Sequence, residues 1–190
     1  MGLKQTGAPA VEPISLTEGK LHLRIDTTAE DVLISSLIKA ARQYCENYQQ
    51  RAYITQTWEL WLDRFPDIDI IDVPLPPLQS ITSIKYYDTA NVAHTFASSE
   101  YFVDSKSQPG RVSLVYGKSW PIDILRPANG VCITFVAGYG SAASAVPATA
   151  CYAILLLMAH YYENREAASA SQIYQTPLSV DALLWQERCF

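Results

Sequence analysis

The chain has 190 residues, which is enough for one domain with a real core or for one domain that carries an inserted subdomain. Its 49% of hydrophobic residues excludes a disordered chain, and a net charge of −5 without any Lys/Arg cluster argues against a protein that grips DNA through its phosphates. Sparse charge (17%), with twelve Tyr and four Trp, predicts either surface that another protein covers or a Tyr-rich core.

The four cysteines, Cys45, Cys132, Cys151 and Cys189, form no C-x-x-C pair, so we expect small core residues in a reducing compartment. The first ten residues lack the apolar centre of a signal peptide, and the longest apolar run, 148–159, is too short to span a bilayer. We therefore expect a protein that is made and kept in the cytoplasm, with no membrane partner.

The predicted elements begin with a flexible arm over residues 1–14, which are small, polar and proline-containing. A short helix follows from Ser15, with Thr17 as its possible N-cap. A longer helix, with Thr28 as N-cap candidate, runs to about Gln50. Its apolar residues form two stripes: Leu33, Leu37, Ala40, Ala41, Tyr44 and Tyr48 in one, and Ile34, Ile38 and Cys45 in the other.

The pattern then changes to alternation with close-set turn signals, which predicts about seven short strands in a small antiparallel sheet or partly closed barrel. The segments are 58–62, 69–73, 81–87, 92–96, 101–103, 112–116 and 131–136.

The last part of the chain returns to helical character. Pro147 suits the first turn of a helix that runs through residue 166. The apolar run 148–159 of this helix predicts that it is buried against the N-terminal helices or against a neighbouring subunit. Residues 167–177 are predicted to be a linker, followed by a short helix with Val180, Leu183, Leu184 and Trp185 on its apolar side. Trp185 either anchors this segment in a partner's groove or folds back on its own domain.

These elements predict an α+β fold in which a small helical bundle is interrupted by an antiparallel β subdomain. We assign residues 1–14 to the arm, 15–52 and 146–166 to the helical domain, 53–140 to the inserted β subdomain, and 167–190 to the linker and C-terminal docking segment.

Chemical motifs are weak throughout. Gly117-Lys118-Ser119 lacks the first glycine of a phosphate loop and is predicted to be a surface turn. Asp67, Asp69 and Asp72 are spaced by isoleucines, which indicates a strand with a solvated acidic face rather than a calcium loop. His160 and Glu163 lack the remaining ligands of a zinc site, and no G-x-S-x-G turn offers a nucleophile. We predict no catalytic residue, metal or cofactor.

Four ordered segments together resemble the phage head–tail connector family whose members carry a β insertion in a small helical domain. The resemblance covers about residues 14–188. The segments are Ser15–Asp26 with Glu30-Asp31, Ile54–Trp58 leading to Leu62–Pro66, Pro74–Asp88, and Phe135–Gly140 with Val146-Pro147 and Ala159–Glu166.

The resemblance implies a structural subunit, not an enzyme, located at the virion neck. About a dozen copies would form a ring under the portal protein, extend the channel through which DNA passes without specific binding, and receive a stopper or tail-completion protein. It implies portal docking by the C-terminal segment, here through Leu183, Leu184 and Trp185. We take Tyr161, Tyr162, Glu163 and Arg165 as candidate subunit-interface residues, the alternative being a solvated helix end.

Three other functions stay open. A tail-side completion protein would differ from a connector in its binding partner. An enzyme with a site in the β subdomain would show a cleft with perturbed carboxylates or a bound ligand. A nucleic-acid-binding module would bind DNA with strong salt dependence, and the acidic pI near 5.1 counts against it.

Overall fold

The structure is a computed structural model that describes residues 1–165 and 178–189; the predicted linker 167–177 and Phe190 lie outside the described residues. The chain forms two compact units. The β unit comprises Met1–Pro9 and Thr55–Tyr139, and the helical unit comprises Ala10–Ile54 and the described residues from Gly140 onward. The predicted α+β class is confirmed. The units divide after residues 9, 54 and 139, against predicted boundaries at 14, 52 and 140.

The helical unit starts with α1, Leu16–Leu23. Its N-cap is Ser15, whose hydroxyl accepts the Glu18 N–H (3.2 Å) while the Glu18 carboxylate accepts the Ser15 N–H (2.8 Å). This reciprocal capping box satisfies two N–H groups that the first turn leaves unpaired. The prediction of Thr17 as N-cap is therefore wrong, because Thr17 already lies inside the helix.

Helix α2, Asp31–Gln49, follows a turn in which the Asp31 N–H donates to the Thr28 carbonyl. Glu30 is the N-cap and makes no side-chain cap bond, so the prediction of Thr28 as N-cap is also wrong. The narrower stripe, Ile34, Ile38 and Cys45, is fully buried. In the stripe that begins at Leu33 only Ala41 is fully buried, and most of the other residues are half-exposed. The buried face continues into the polar residues Arg42, Glu46 and Gln49.

Helix α3, Ala148–Glu163, and helix α4, Leu178–Trp185, are the other two helices among the described residues of this unit. Both pack against α2, and α3 also contacts α1. Among the described residues, no helix combines the length and apolar character needed to cross a membrane.

The β unit contains all seven predicted strands and one more. In chain order they are β1 (Gly2–Gly7), β2 (Gln56–Leu62), β3 (Ile70–Val73), β4 (Leu78–Tyr87), β5 (Ala93–Phe96), β6 (Tyr101–Asp104), β7 (Gly110–Leu114) and β8 (Val131–Ala137). Strand β1 corrects the prediction of a flexible arm over residues 1–14. It forms because the edge of β2 offers its backbone an antiparallel partner, from Gly2 opposite Trp61 to Gly7 opposite Thr57.

The strands make two antiparallel sheets. The five-stranded sheet has the order β1-β2-β8-β4-β5, and the three-stranded sheet has the order β3-β7-β6. The two sheets meet closely at Gly110, where an added Cβ would lie 2.5 Å from the Cβ of Leu78. The core of the unit holds Leu60, Ile84, Ile133 and Phe135 from the larger sheet and Ile71, Val73 and Val112 from the smaller one.

Candidate assembly interface

The C-terminal segment is held to the end of α2 by hydrogen bonds. The Gln49 amide donates to the Leu184 carbonyl (2.7 Å), the Cys189 N–H donates to the Gln49 carbonyl (3.0 Å), and the Arg51 guanidinium donates to the Glu187 carbonyl. The side chain of Leu184 is fully buried. Of the three predicted docking residues, Leu184 therefore lies in the core of the helical unit in this conformation.

Trp185 differs from its neighbour, since it is 56% exposed, and Leu183 is half-exposed. The Arg188 guanidinium lies 5.5 Å from the Trp185 ring centroid and 5.1 Å from that of Tyr48. These cation–π contacts orient the indole while leaving over half of it in solvent. Trp185 is thus a large, positioned aromatic surface on α4.

The predicted interface residues at the end of α3 contact the start of α2. The Tyr162 hydroxyl donates to Glu30 Oε2, and Arg165 donates to Glu30 Oε1 at 2.8 Å while stacking 4.4 Å from the Tyr162 ring centroid. These hydrogen bonds, first from Tyr162 and then from Arg165, lower the pKa of Glu30. Glu163 is exposed and Tyr161 is half-buried. The cluster thus includes Glu30, which the sequence did not connect with residues some 130 positions away.

One side of α3 is only partly covered. Ala150, Ala153, Ile154, Leu157 and Met158 are buried, as the apolar run predicted. Tyr152 is 51% exposed, and Leu155, Leu156 and Ala159 are half-buried. The helical unit therefore satisfies only part of the apolar surface of this helix.

The outer face of the three-stranded sheet carries a patch of exposed apolar side chains, formed by Ile68, Ile70, Phe102 and Val115 and named here the apolar sheet face. Ile70 and Phe102 both lie opposite Ser113 across the central strand. Ile68 precedes β3 and Val115 follows β7, and the side chains of both are exposed as well. Phe102 is 67% exposed. Several exposed apolar side chains in one region of a surface are typical of interaction sites.

The 115–130 loop between β7 and β8 also presents large apolar residues. Ile122 is 95% exposed and Ile124 is 80% exposed. The loop is nevertheless anchored: the Trp120 ring stacks on Phe65 (5.1 Å between centroids), and Arg126 stacks 4.0 Å from the Tyr87 ring centroid. Loops of this length without secondary structure are uncommon and usually functional. Anchoring keeps the ordering cost of binding low.

A cleft of about 350 Å³ lies beside this loop, lined by Asp63, Arg64, Asp123 and Arg126 among others. Two of its polar residues bond within the fold: Asp63 accepts the Asn129 N–H (2.9 Å), and Arg126 donates to the Asn129 carbonyl. Lys118 of the Gly-Lys-Ser segment pairs with Glu100 at 3.1 Å. Within residues 1–165 and 178–189, no group of three or more His, Cys, Asp or Glu side chains is arranged to hold a metal ion.

Comparison with known proteins identifies the chain more closely. It matches the model of the phage gp6-like head-tail connector protein family over residues 13–109, about half of the chain. A search of curated proteins found no match.

The full chain is similar to chains of three solved particle structures, covering 100% of this chain and 96% of each of those chains. They are the neck of an empty GTA particle computed with C6 symmetry (28% identity, TM-score 0.84), the virion of a native gene transfer agent particle (27%, 0.82), and the neck of a native GTA particle computed with C12 symmetry (26%, 0.82). With residues 13–109 matching the family model and the fold matching throughout, the chain belongs to the phage gp6-like head-tail connector protein family, and its role is structural.

Proposed function

We propose that this protein is a ring-forming subunit at the neck of a phage or phage-like particle, where it joins the head to the tail and extends the channel for DNA. The observation that carries the proposal is similarity over the whole chain to neck chains from particles computed with C6 and C12 symmetry. A ring of about a dozen copies fits that symmetry.

Ring closure needs two different faces on each subunit, because neighbouring copies meet head to tail. The partly covered side of α3, the apolar sheet face and the loop residues Ile122 and Ile124 supply unpaired apolar surface for such contacts. The Glu30, Tyr162 and Arg165 cluster, with Tyr161 and Glu163 beside it, is proposed to lie at a subunit boundary, where its exposed guanidinium can reach a neighbouring carboxylate.

The C-terminal segment is proposed to dock on the portal protein. Trp185 is the anchor we favour, with Leu183 beside it, because a large exposed aromatic is the side chain most often responsible for binding energy at an interface. Leu184 contributes indirectly, by holding α4 to the helical unit. The opposite side of the ring is then available to a stopper or tail-completion protein.

We further propose that the protein lines the DNA channel without binding DNA (a passive channel wall) and that it is not a catalyst. The net charge of −5 disfavours retention of DNA by its phosphates. Asp63 and Arg126, two of the charged residues that line the 350 Å³ cleft, form hydrogen bonds that hold the 115–130 loop. We therefore assign these two side chains a structural role rather than a catalytic one.

The test is electron microscopy of the purified protein mixed with its portal complex, comparing wild type, Trp185→Ala and Leu184→Ala. Wild type should add a collar of density at the tail-facing end of the portal. Trp185→Ala should fold normally and lose the collar. Leu184→Ala should lose about 2–5 kcal/mol of stability, because it opens a cavity in the core.

A bare portal with the wild-type protein would remove the portal-docking proposal and favour a tail-side completion protein. A full collar with Trp185→Ala would keep the connector role and move the docking site to another surface.

A further inference from the structure

Strand β1 is attached to the β unit in a different way from the other strands. Five of its six residues are exposed and only Gly7 is partly covered, so the strand adds no side chain to the core. Its hydrogen bonds to β2 are the antiparallel backbone ladder, one from the Gln5 side-chain amide to Gln56 Oε1 (2.5 Å) and one from the Thr6 hydroxyl to the Thr57 carbonyl (3.4 Å).

The opposite edge of the same sheet shows the contrast. Strand β5 is shorter, but its Phe96 is buried and stacks on Tyr101 at 5.8 Å between ring centroids. Strand β5 is thus fixed to its own chain by its side chains, whereas β1 is held almost entirely by backbone hydrogen bonds. A backbone ladder is the same whichever copy supplies the strand.

The segment that follows β1 is anchored to the helical unit at Glu12 and is mostly exposed to solvent before that residue. Glu12 forms an ion pair with the buried Arg42 (2.6 Å), and the next two residues, Pro13 and Ile14, are buried in the helical unit. Between Gly7 and Glu12 the segment Ala8-Pro9-Ala10-Val11 is exposed apart from the partly covered Pro9. Fully extended, this connection spans roughly 17 Å.

We propose that β1 is an exchangeable strand, and that in the assembled ring the outer edge of β2 binds β1 of a neighbouring copy. The inference rests on the ring proposed above and names a contact that holds it together. Exchange preserves the ladder of each subunit while linking every copy to the next, and a symmetric ring keeps the neighbouring strand at high effective concentration. It requires the β2 edge of a neighbour to lie within roughly 17 Å of Glu12.

The test uses a disulfide that reports which copy supplies the strand. Lys4 lies directly opposite Glu59 in the ladder, at a separation that suits a disulfide in an antiparallel pair. Lys4→Cys/Glu59→Cys is made in a background with Cys132, Cys151 and Cys189 changed to Ala. Cys45 stays, because burial raises the pKa of its thiol to about 12. Rings assembled on portal particles are oxidised and run on denaturing gels without reductant.

We expect a ladder of covalent multimers from the ring, with most of the protein above the monomer band. We also expect that monomers oxidised before assembly, with β1 locked to their own β2, join rings only after reduction. The matched control is Lys85→Cys/Thr95→Cys, a directly opposed and exposed pair between β4 and β5 at the other edge of the same sheet, which should give monomer bands and normal rings.

A ring in which Lys4→Cys/Glu59→Cys gives only an internal disulfide would overturn the exchange and leave the proposed function standing. Normal assembly by the locked monomer would overturn it as well. Absence of a ring with the wild-type protein would remove both proposals.

Discussion

Among single residues, Asp104 at the end of β6 makes the densest set of hydrogen bonds to a carboxylate in the β unit as described. It accepts the Ser107 hydroxyl (2.6 Å), the Arg111 guanidinium (2.7 Å) and the N–H groups of Lys106 and Ser107. These bonds, led by that from Ser107, hold the pKa of Asp104 well below its ordinary value of 3.8. The charged form thus stabilises the turn that joins β6 to β7.

We therefore predict that Asp104→Asn lowers the melting temperature of the protein at pH 7. Because the folded form binds the proton more weakly than the unfolded chain, the stabilisation is full above the ordinary Asp pKa of 3.8 and is lost as the pH falls through the lower folded-state pKa. The difference from wild type should therefore shrink below about pH 4 in thermal scans. Asp72→Asn, on an exposed strand position, is the control and should show a much smaller difference at every pH. A difference that does not depend on pH would contradict the assigned cause.

At the scale of secondary-structure elements, the capping box of α1 can be tested by comparing Ser15 with Thr17, the residue first predicted as its N-cap. Ser15→Ala should cost about 1 kcal/mol in urea unfolding, because it leaves the Glu18 N–H without its acceptor and breaks the reciprocal bond. Thr17→Ala, an exposed change inside the helix, should stay within about 0.5 kcal/mol of wild type. Equal effects of the two changes would mean that the capping bonds contribute nothing measurable.

The elements show what local sequence could predict and what it could not. The seven strands between residues 56 and 137 were predictable, because alternation and turn residues are local signals. The Ser15-x-x-Glu18 pattern of a capping box was also in the sequence, and the prediction of Thr17 overlooked it. Strand β1 could not be predicted, because Gly2–Gly7 has no apolar alternation and becomes a strand only beside the distant β2. Propensity is a weak signal where pairing decides.

The same limit applies to the candidate interface. Alternation divides β3, β6 and β7 into two faces but does not say which face the protein covers, so the apolar sheet face was missed. The prediction for α4 found an apolar helix but treated Leu184 and Trp185 alike. Packing separates them, since one is fully buried and the other is more than half exposed.

At the scale of the whole molecule, the apolar sheet face should matter for assembly rather than for folding. Phe102→Ser should keep the melting temperature within a degree or two of wild type, because the ring is mostly in solvent. It should weaken incorporation into the neck about tenfold or more, corresponding to about 1.4 kcal/mol, which is typical for loss of an interface aromatic. Quantitative pull-down on portal particles measures this.

The matched control for Phe102→Ser is Val92→Ser, which removes a similarly exposed apolar side chain at the β4–β5 turn. Its incorporation should equal that of wild type. Equal incorporation by all three proteins would exclude the apolar sheet face from the neck contacts.

The charge balance of the whole chain predicts weak contact with DNA. With a net charge of −5, the protein should show no saturable binding to a DNA duplex at 150 mM salt, measured by fluorescence anisotropy. Lowering the salt to 50 mM should change little, because few phosphates are neutralised. Tight binding with a steep salt dependence would contradict a passive channel wall and favour a nucleic-acid-binding module.

The β unit is encoded by two separate stretches of the gene, since Met1–Pro9 and Thr55–Tyr139 fold together. Recombination that replaces only codons 55–139 would bring in a foreign β2 and leave the resident β1 to pair with it. The backbone ladder tolerates such a mismatch, but the hydrogen bond from the Gln5 side chain to Gln56 Oε1 depends on both side chains. Recombination between such genes therefore preserves this hydrogen bond only when the residues at positions 5 and 56 remain compatible. We expect these two positions to vary together, although one lies in each of the two stretches that encode the β unit.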